Sequence, residues 1–267
     1  GPIPEDTAIA LLRISAPTID RILKPVRAGY SGHGRSTTKP GTLLKRHIPV
    51  KVNQWDESRP GFLEADTVAH CGGSTDGMFV NTVDCVDIAT GWTEQRAVWG
   101  KNHQDVIAQI KDIERSLPFP ILGFDVDNGS EFLNHHLLRY LTENRGRPVQ
   151  FTRSRAYHKD DNAHVEQKNW THVRQWFGYH RLDKPALVGL MNDLYTHEWR
   201  FYHNFFLPSV KLVEKKLVDG KVVKRYDQPK TPYQRVLESP SVSTSVKRSL
   251  QAQFETLNPF RLRKAME

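Results

Sequence analysis

The stretch "FDVDNGSEF", Phe124 to Phe132, decides how this chain is read. Apolar and acidic residues alternate over its first four positions, and side chains of a strand alternate faces with period 2. Asp125 and Asp127 therefore project to one face, Phe124 and Val126 to the other. Asn128-Gly129 is a chain-breaking turn signal. Ser130 is placed to cap a helix, with Glu131 in the first turn, where a carboxylate complements the helix dipole. The expected layout is strand, sharp turn, helix, with an acid at the strand's carboxyl end.

Working outward, residues 62–70, 77–88 and 92–99 have the composition of three successive strands. Residues 102–117 form an amphipathic helix, with Val106, Ile107, Ile110, Ile113 and Leu117 at helical spacing. Strand 121–127, helix 130–145, strand 148–154 and helices 161–178 and 184–206 follow. Strands in succession and then alternating with helices predict an α/β fold, a mixed sheet with helices on its faces. Trp170 and Trp176 are expected in its core. Upstream, residues 7–28 read as two short helices, the second capped by Ser15 with Ile19, Ile22 and Leu23 as its apolar stripe, similar to the end of a helix-turn-helix. The opening Gly1-Pro2 looks like a protease scar, so that motif is expected to be only partly present. Residues 29–60 read as a basic linker. Downstream, "KLVEKKLVDGKVVKRY" is a hairpin turning at Asp219-Gly220. The expected divisions are thus 1–28, 29–60, a core over 61–206, and a basic hairpin and helix region over 207–267.

Charge is distributed unevenly along the 267 residues. The net charge of +8 divides into +5 over residues 1–61, −4 over 62–206 and +7 over 207–267. Basic flanks around an acidic centre suit a polyanion held at the edges of a site whose carboxylates bind metal. Arg35, Lys39, Lys45 and Arg46 in the linker are candidate phosphate contacts. No apolar run approaches the roughly 20 residues of a membrane helix. Cys71 and Cys85 are too few for a disulfide framework and lack zinc spacing, so a reducing cytoplasm is expected.

Asp66, in "EADTV", is another acid on an otherwise apolar strand, and an unpaired buried carboxylate is costly. Glu166, in "KDDNAHVEQKNW", lies on the helix after the last core strand, sharing a face with Asn162 and Asn169. Magnesium is typically held by one or two carboxylates together with substrate phosphates. A two-ion site can both activate a nucleophile and stabilise a leaving oxygen in phosphodiester chemistry.

In order, Asp66, Asp127 in "DNGSEF" and Glu166 resemble the DDE catalytic core of retroviral integrases and bacterial insertion-sequence transposases; "TGWTE" (90–94) and "NAHVEQKNW" (162–170) look like a bacterial branch. The resemblance covers residues 61–180 strongly and the flanks less so. It implies an RNase H-like five-stranded sheet and a DNA transposase that cleaves a 3′ end and transfers it to target DNA. Asp66, Asp127 and Glu166 would be catalytic, holding two Mg²⁺ ions, with Mn²⁺ able to substitute. Asp125 would be auxiliary and Glu131 a cap or DNA-proximal group. Asn162, Lys159 and Lys168 would approach the DNA. The partners implied are double-stranded DNA and further copies of the chain, in a bacterial cytoplasm. The retroviral zinc module is absent, so the helix-turn-helix would recognise the DNA ends. A nuclease that only hydrolyses and a non-catalytic DNA-binding protein on the same fold are the alternatives.

Overall fold

A computed structural model describes residues 4–28, 48–50, 55–56, 58–143, 145–154, 163–218 and 221–267. Five strands form the central sheet: β1 (Phe62–Ala69), β2 (Val80–Asp87), β3 (Thr93–Trp99), β4 (Gly123–Val126) and β5 (Gln150–Arg153). Their order is β3-β2-β1-β4-β5. β2 runs antiparallel to both its neighbours, while β1, β4 and β5 are mutually parallel. This is the mixed RNase H-like sheet expected of the sequence.

The two faces of the sheet differ. Leu63, Ala65, Val83, Cys85, Phe124, Val126 and Phe151 project toward α3 (His103–Ser116) and α4 (His135–Thr142), forming the main apolar core with Val106, Ile110, Ile113, Leu137 and Leu141. The other face is unusually polar, carrying Glu64, Thr82, Asp84, Gln95 and Asp125, all essentially buried. It is covered by α5 (Ala163–Lys168), a π-helical turn (Asn169–Arg174), α6 (Gln175–Phe177), α7 (Ala186–Leu194) and a second π-helical turn (Tyr195–Trp199), while α8 (Arg200–Phe206) follows along the β3 edge and carries Phe205 into the main core. Met191, Tyr195 and Trp199 pack there on Val80 and Ala97.

An exposed strand edge invites pairing with another chain. Here two asparagines cover the edge of β3. Asn204 accepts from the Thr93 N–H at 2.9 Å and donates to its carbonyl at 2.8 Å, and Asn192 does the same for Ala97 at 2.7 and 3.0 Å.

The turn after β4 corrects one expectation. The helix read over 130–145 begins only at His135, and Asn134 caps it, its Oδ1 accepting from Leu137 N at 2.9 Å. Phe132 and Leu133 are buried, which pulls residues 129–134 beneath the sheet as a tight turn closed by Leu133 N–H on the Gly129 carbonyl. Ser130 is therefore no cap, and Glu131 points inward. Trp170, read as core, is 50% exposed.

N-terminally, α1 (Glu5–Arg13) and α2 (Ala16–Ala28) form as expected, but Ile19, Ile22 and Leu23 stand exposed. C-terminally, β6 (Leu212–Val218) and β7 (Lys221–Tyr226) pair as a separate antiparallel ribbon; its expected turn residues lie outside the described ones. The helices α9 (Pro232–Glu238), α10 (Thr244–Thr256) and α11 (Pro259–Met266) follow, and Tyr233, Val236 and Leu250 join the main core. Among the described residues no helix is long and apolar enough to cross a membrane.

Candidate active site

β1 and β4 are parallel neighbours, registered Glu64 with Asp125 and Ala65 with Val126. One step further come Asp66, still within β1, and Asp127, just past the end of β4, so the pairing that builds the sheet sets these two acids side by side. Period 2 gives Glu64, Asp66, Asp125 and Asp127 one common face. The four differ in surroundings. Asp125 is fully buried and accepts from the Thr152 hydroxyl, while Asp127 is half-buried at the end of the strand. Glu64 accepts from the backbone N–H groups of His164 and Val165, both at 3.1 Å, and so anchors the start of α5 to β1.

Asp66 is held on both oxygens: Oδ1 accepts from Thr67 N at 2.7 Å and Oδ2 from the Asn169 amide at 2.7 Å. Asp127 Oδ1 accepts from Gly129 N at 2.8 Å. A Cβ placed on Gly129 would lie 2.8 Å from that same oxygen and 2.7 Å from Glu131 Oε2. Only glycine therefore lets the two carboxylates close on this turn. Glu131 is buried, and its Oε1 accepts from the Thr67 hydroxyl at 2.9 Å and from Lys101 Nζ at 2.6 Å.

Burial raises the pKa of Asp66, though its two hydrogen bonds and the Lys101 charge pull the other way. Asp127 is pushed up to about 7 by burial and then by the charge of Asp66. Asp84, directly across from Asp66 on β2, is fully buried, accepts from Gln95 Nε2 at 3.0 Å, and is pushed up to about 8, mainly by burial. The site is thus a concentration of buried and half-buried carboxylates, with charge that an additional cation would relieve.

Does this set fit a hard divalent ion? Among the described residues no group of three or more His, Cys, Asp and Glu is arranged to hold one. A pair does suffice for magnesium, which keeps waters and takes substrate phosphates as further ligands. Asp66 and Asp127, adjacent and flanked by the glycine notch, fit that requirement.

Glu166, the third predicted acid, is exposed on α5. It is Asn169, three residues on, that reaches Asp66. Lys168, read as a surface phosphate contact, is only 8% exposed, with Nζ 3.4 Å from His172 Nε2, and burial lowers its pKa to about 8. Asn162, Lys159, Arg35, Lys39, Lys45 and Arg46 lie outside the described residues.

Sequence reasoning missed Lys101, Glu64 and Asp84, and misassigned Glu131. Glu64 carried a signal, since it precedes Asp66 by two on the same strand face. Lys101 carried none, because only the turn from β3 into α3 brings it to the acids.

No protein-family model matches the chain. It is 40% identical over 226 residues to the uncharacterized protein y4rM of Sinorhizobium fredii (strain NBRC 101917 / NGR234), an alignment covering 84% of this chain and 63% of that protein's length. Among solved structures it is similar to the simian T-cell lymphotropic virus intasome in complex with PP2A regulatory subunit B56 gamma, at 13% identity and a TM-score of 0.43, covering 84% of this chain and 83% of that one. It is also similar to the catalytic core domain of BIV integrase, at 16% identity and a TM-score of 0.39, covering 67% and 95%. At these scores the likeness adds nothing to the strand order already described.

Proposed function

We propose that the chain is a DDE-type polynucleotidyl transferase that cleaves the 3′ ends of a DNA element and joins them to target DNA. The observation that carries this reading is the adjacency of Asp66, within β1, and Asp127, just past the end of the parallel neighbour β4, against the Gly129 notch. Asp66 and Asp127 would hold divalent metal, Mg²⁺ or Mn²⁺, with water and substrate phosphates as its further ligands. When bound, such ions stabilise charge on the attacking and leaving oxygens of an in-line displacement.

The protein's own part is positioning. Thr67 N–H and Asn169 fix the Asp66 carboxylate, and Gly129 N–H fixes that of Asp127. Glu64 ties the helix bearing Glu166 to the strand bearing Asp66. In the first step water attacks the phosphodiester at the element's end, breaking the bond to the 3′ oxygen and leaving a 3′-hydroxyl. In the second, that hydroxyl attacks a target phosphodiester and expels a target 3′-hydroxyl in its place. Duplex DNA would be held by basic flanks that include the ribbon β6–β7. Lys215 and Lys224 face each other across that ribbon and both are exposed. Like charges so placed are destabilising unless an anion sits between them. Pairing two DNA ends calls for more than one copy of the chain.

The test is strand joining with precleaved duplexes bearing the ends of the element that encodes the protein, in Mg²⁺ or Mn²⁺. Joined product is expected from the wild-type protein and not from Asp127→Asn. Cutting without joining would favour a hydrolytic nuclease. DNA binding with neither reaction would favour a non-catalytic DNA-binding protein.

A further inference from the structure

Among the described residues, Lys101 is the cation whose charge acts on both Asp66 and Asp127, and the positioning of those acids makes no use of it. Its backbone is pinned on both sides. Gly100, at φ +67°, turns the chain off the end of β3, and Asn102 caps α3 by accepting from Gln104 N at 3.0 Å. From that position the side chain reaches inward, with Nζ 2.6 Å from Glu131 Oε1. Glu131 is 2% exposed and Lys101 19%. A carboxylate so buried beside two others is costly unless it is paired and hydrogen-bonded. Glu131 has both partners: the ammonium, and the Thr67 hydroxyl at 2.9 Å on the same oxygen. Its second oxygen faces the Gly129 notch that Asp127 Oδ1 faces from the other side. Three carboxylates thus share one lysine, whose charge acts on both Asp66 and Asp127.

We propose that Lys101, fastened by Glu131, is a resident counter-cation of the Asp66–Asp127 pair, and that a divalent ion enters against its positive charge. Lys101 is then a positioning and tuning residue that sets how tightly the DNA-free protein takes its ion. Glu131 acts through it, as an anchor rather than as a metal ligand. The inference rests on the metal-site reading above.

The test measures Mn²⁺ binding to the DNA-free protein by titration calorimetry and by electron paramagnetic resonance, with no turnover involved. Lys101→Met is expected to tighten Mn²⁺ about tenfold, as removal of a nearby unit charge from a poorly solvated site should. Because this variant leaves Glu131 buried and unpaired, the same change is also made in a Glu131→Gln background, where no unpaired charge remains. There Glu131→Gln alone is expected to weaken Mn²⁺ about tenfold, and adding Lys101→Met to return it to within about threefold of wild type. If Lys101→Met leaves affinity unchanged or weaker in both backgrounds, Lys101 is only a structural partner of Glu131. If the double variant stays as weak as Glu131→Gln, Glu131 is itself a ligand and the anchor role is wrong. Asp127→Asn separates the two readings: Mn²⁺ binding that survives it would overturn the metal site itself, whatever Lys101 does.

Discussion

Gly129 stands between two carboxylates that its missing side chain allows to meet. An alanine there would put a methyl group 2.7 and 2.8 Å from Glu131 Oε2 and Asp127 Oδ1. Both contacts are with the ends of side chains, so relief by a small shift of the acids costs the fold little. The chemistry is less tolerant, since displacing a catalytic group by about 1 Å can cost about 10²-fold in rate. Gly129→Ala is therefore expected to lower strand joining by about 10²-fold. Its cost to stability should be about 1 kcal/mol, or about 2–4 °C in Tm. Joining rates beside thermal melts check this; wild-type joining would show that the spacing of these carboxylates is not critical.

At the scale of the element, α5 opens a helical segment that runs on through the π-helical turn to Phe177, and even an isolated helix of about that length is marginal in water. At its first turn it is tied to the sheet by Glu64, whose single oxygen Oε2 accepts from both His164 and Val165 N–H groups. A carboxylate at a helix N-terminus is favoured both as a hydrogen-bond acceptor and by the dipole. Glu64→Ala is expected to cost about 1–3 kcal/mol of stability. Local opening should be larger still: amide hydrogens of residues 163–168 should exchange faster in the variant, while those of β2 keep their protection. Uniform loss of protection across the sheet would mean that Glu64 supports the whole core and not α5 in particular. The same element shows why Lys168 was misplaced. Helical spacing assigns residues to faces, but it does not say which face the sheet covers. Lys168 falls on the covered one.

At the scale of the molecule, the sheet buries polar groups on one face, and this makes stability depend on pH. Asp84 ionises near 3.8 when unfolded and is pushed up to about 8 when folded, chiefly by burial. Between those values the folded state holds a proton that the unfolded state has released. Stability from this group is therefore lost as pH rises from about 4 to about 8. The buried histidines work oppositely: His70 and His203 are lowered to about 3 by burial, so they cost stability as pH falls below 6.5. A comparison with Asp84→Asn isolates the acid. Urea unfolding at pH 5.5 and pH 8.0 should show the variant gaining on wild type as pH rises. An unchanged difference between the two pH values would mean that Asp84 is already ionised in the fold, paired with the nearby Lys168 charge.

Local alternation and turn chemistry were enough to mark β1, β4 and their acids, because a strand's side-chain period and an Asn-Gly break are properties of a few consecutive residues. The amphipathic helix α3 was legible for the same reason, its apolar stripe being internal to one segment. The turn 129–134 was not, since Ser130 had the local chemistry of a cap and only the burial of Phe132 and Leu133 moved the helix start to His135. Lys101, Glu131 and Asn169 lie far from Asp66 along the chain, and no spacing relates them. Their meeting depends on how β1, β3 and the turn after β4 are packed. The sequence by itself determined which strands carry acids and on which alternate positions. Tertiary structure alone decided which cation and which amide those acids face, because a charge is placed by everything folded around it and not by its neighbours in the chain.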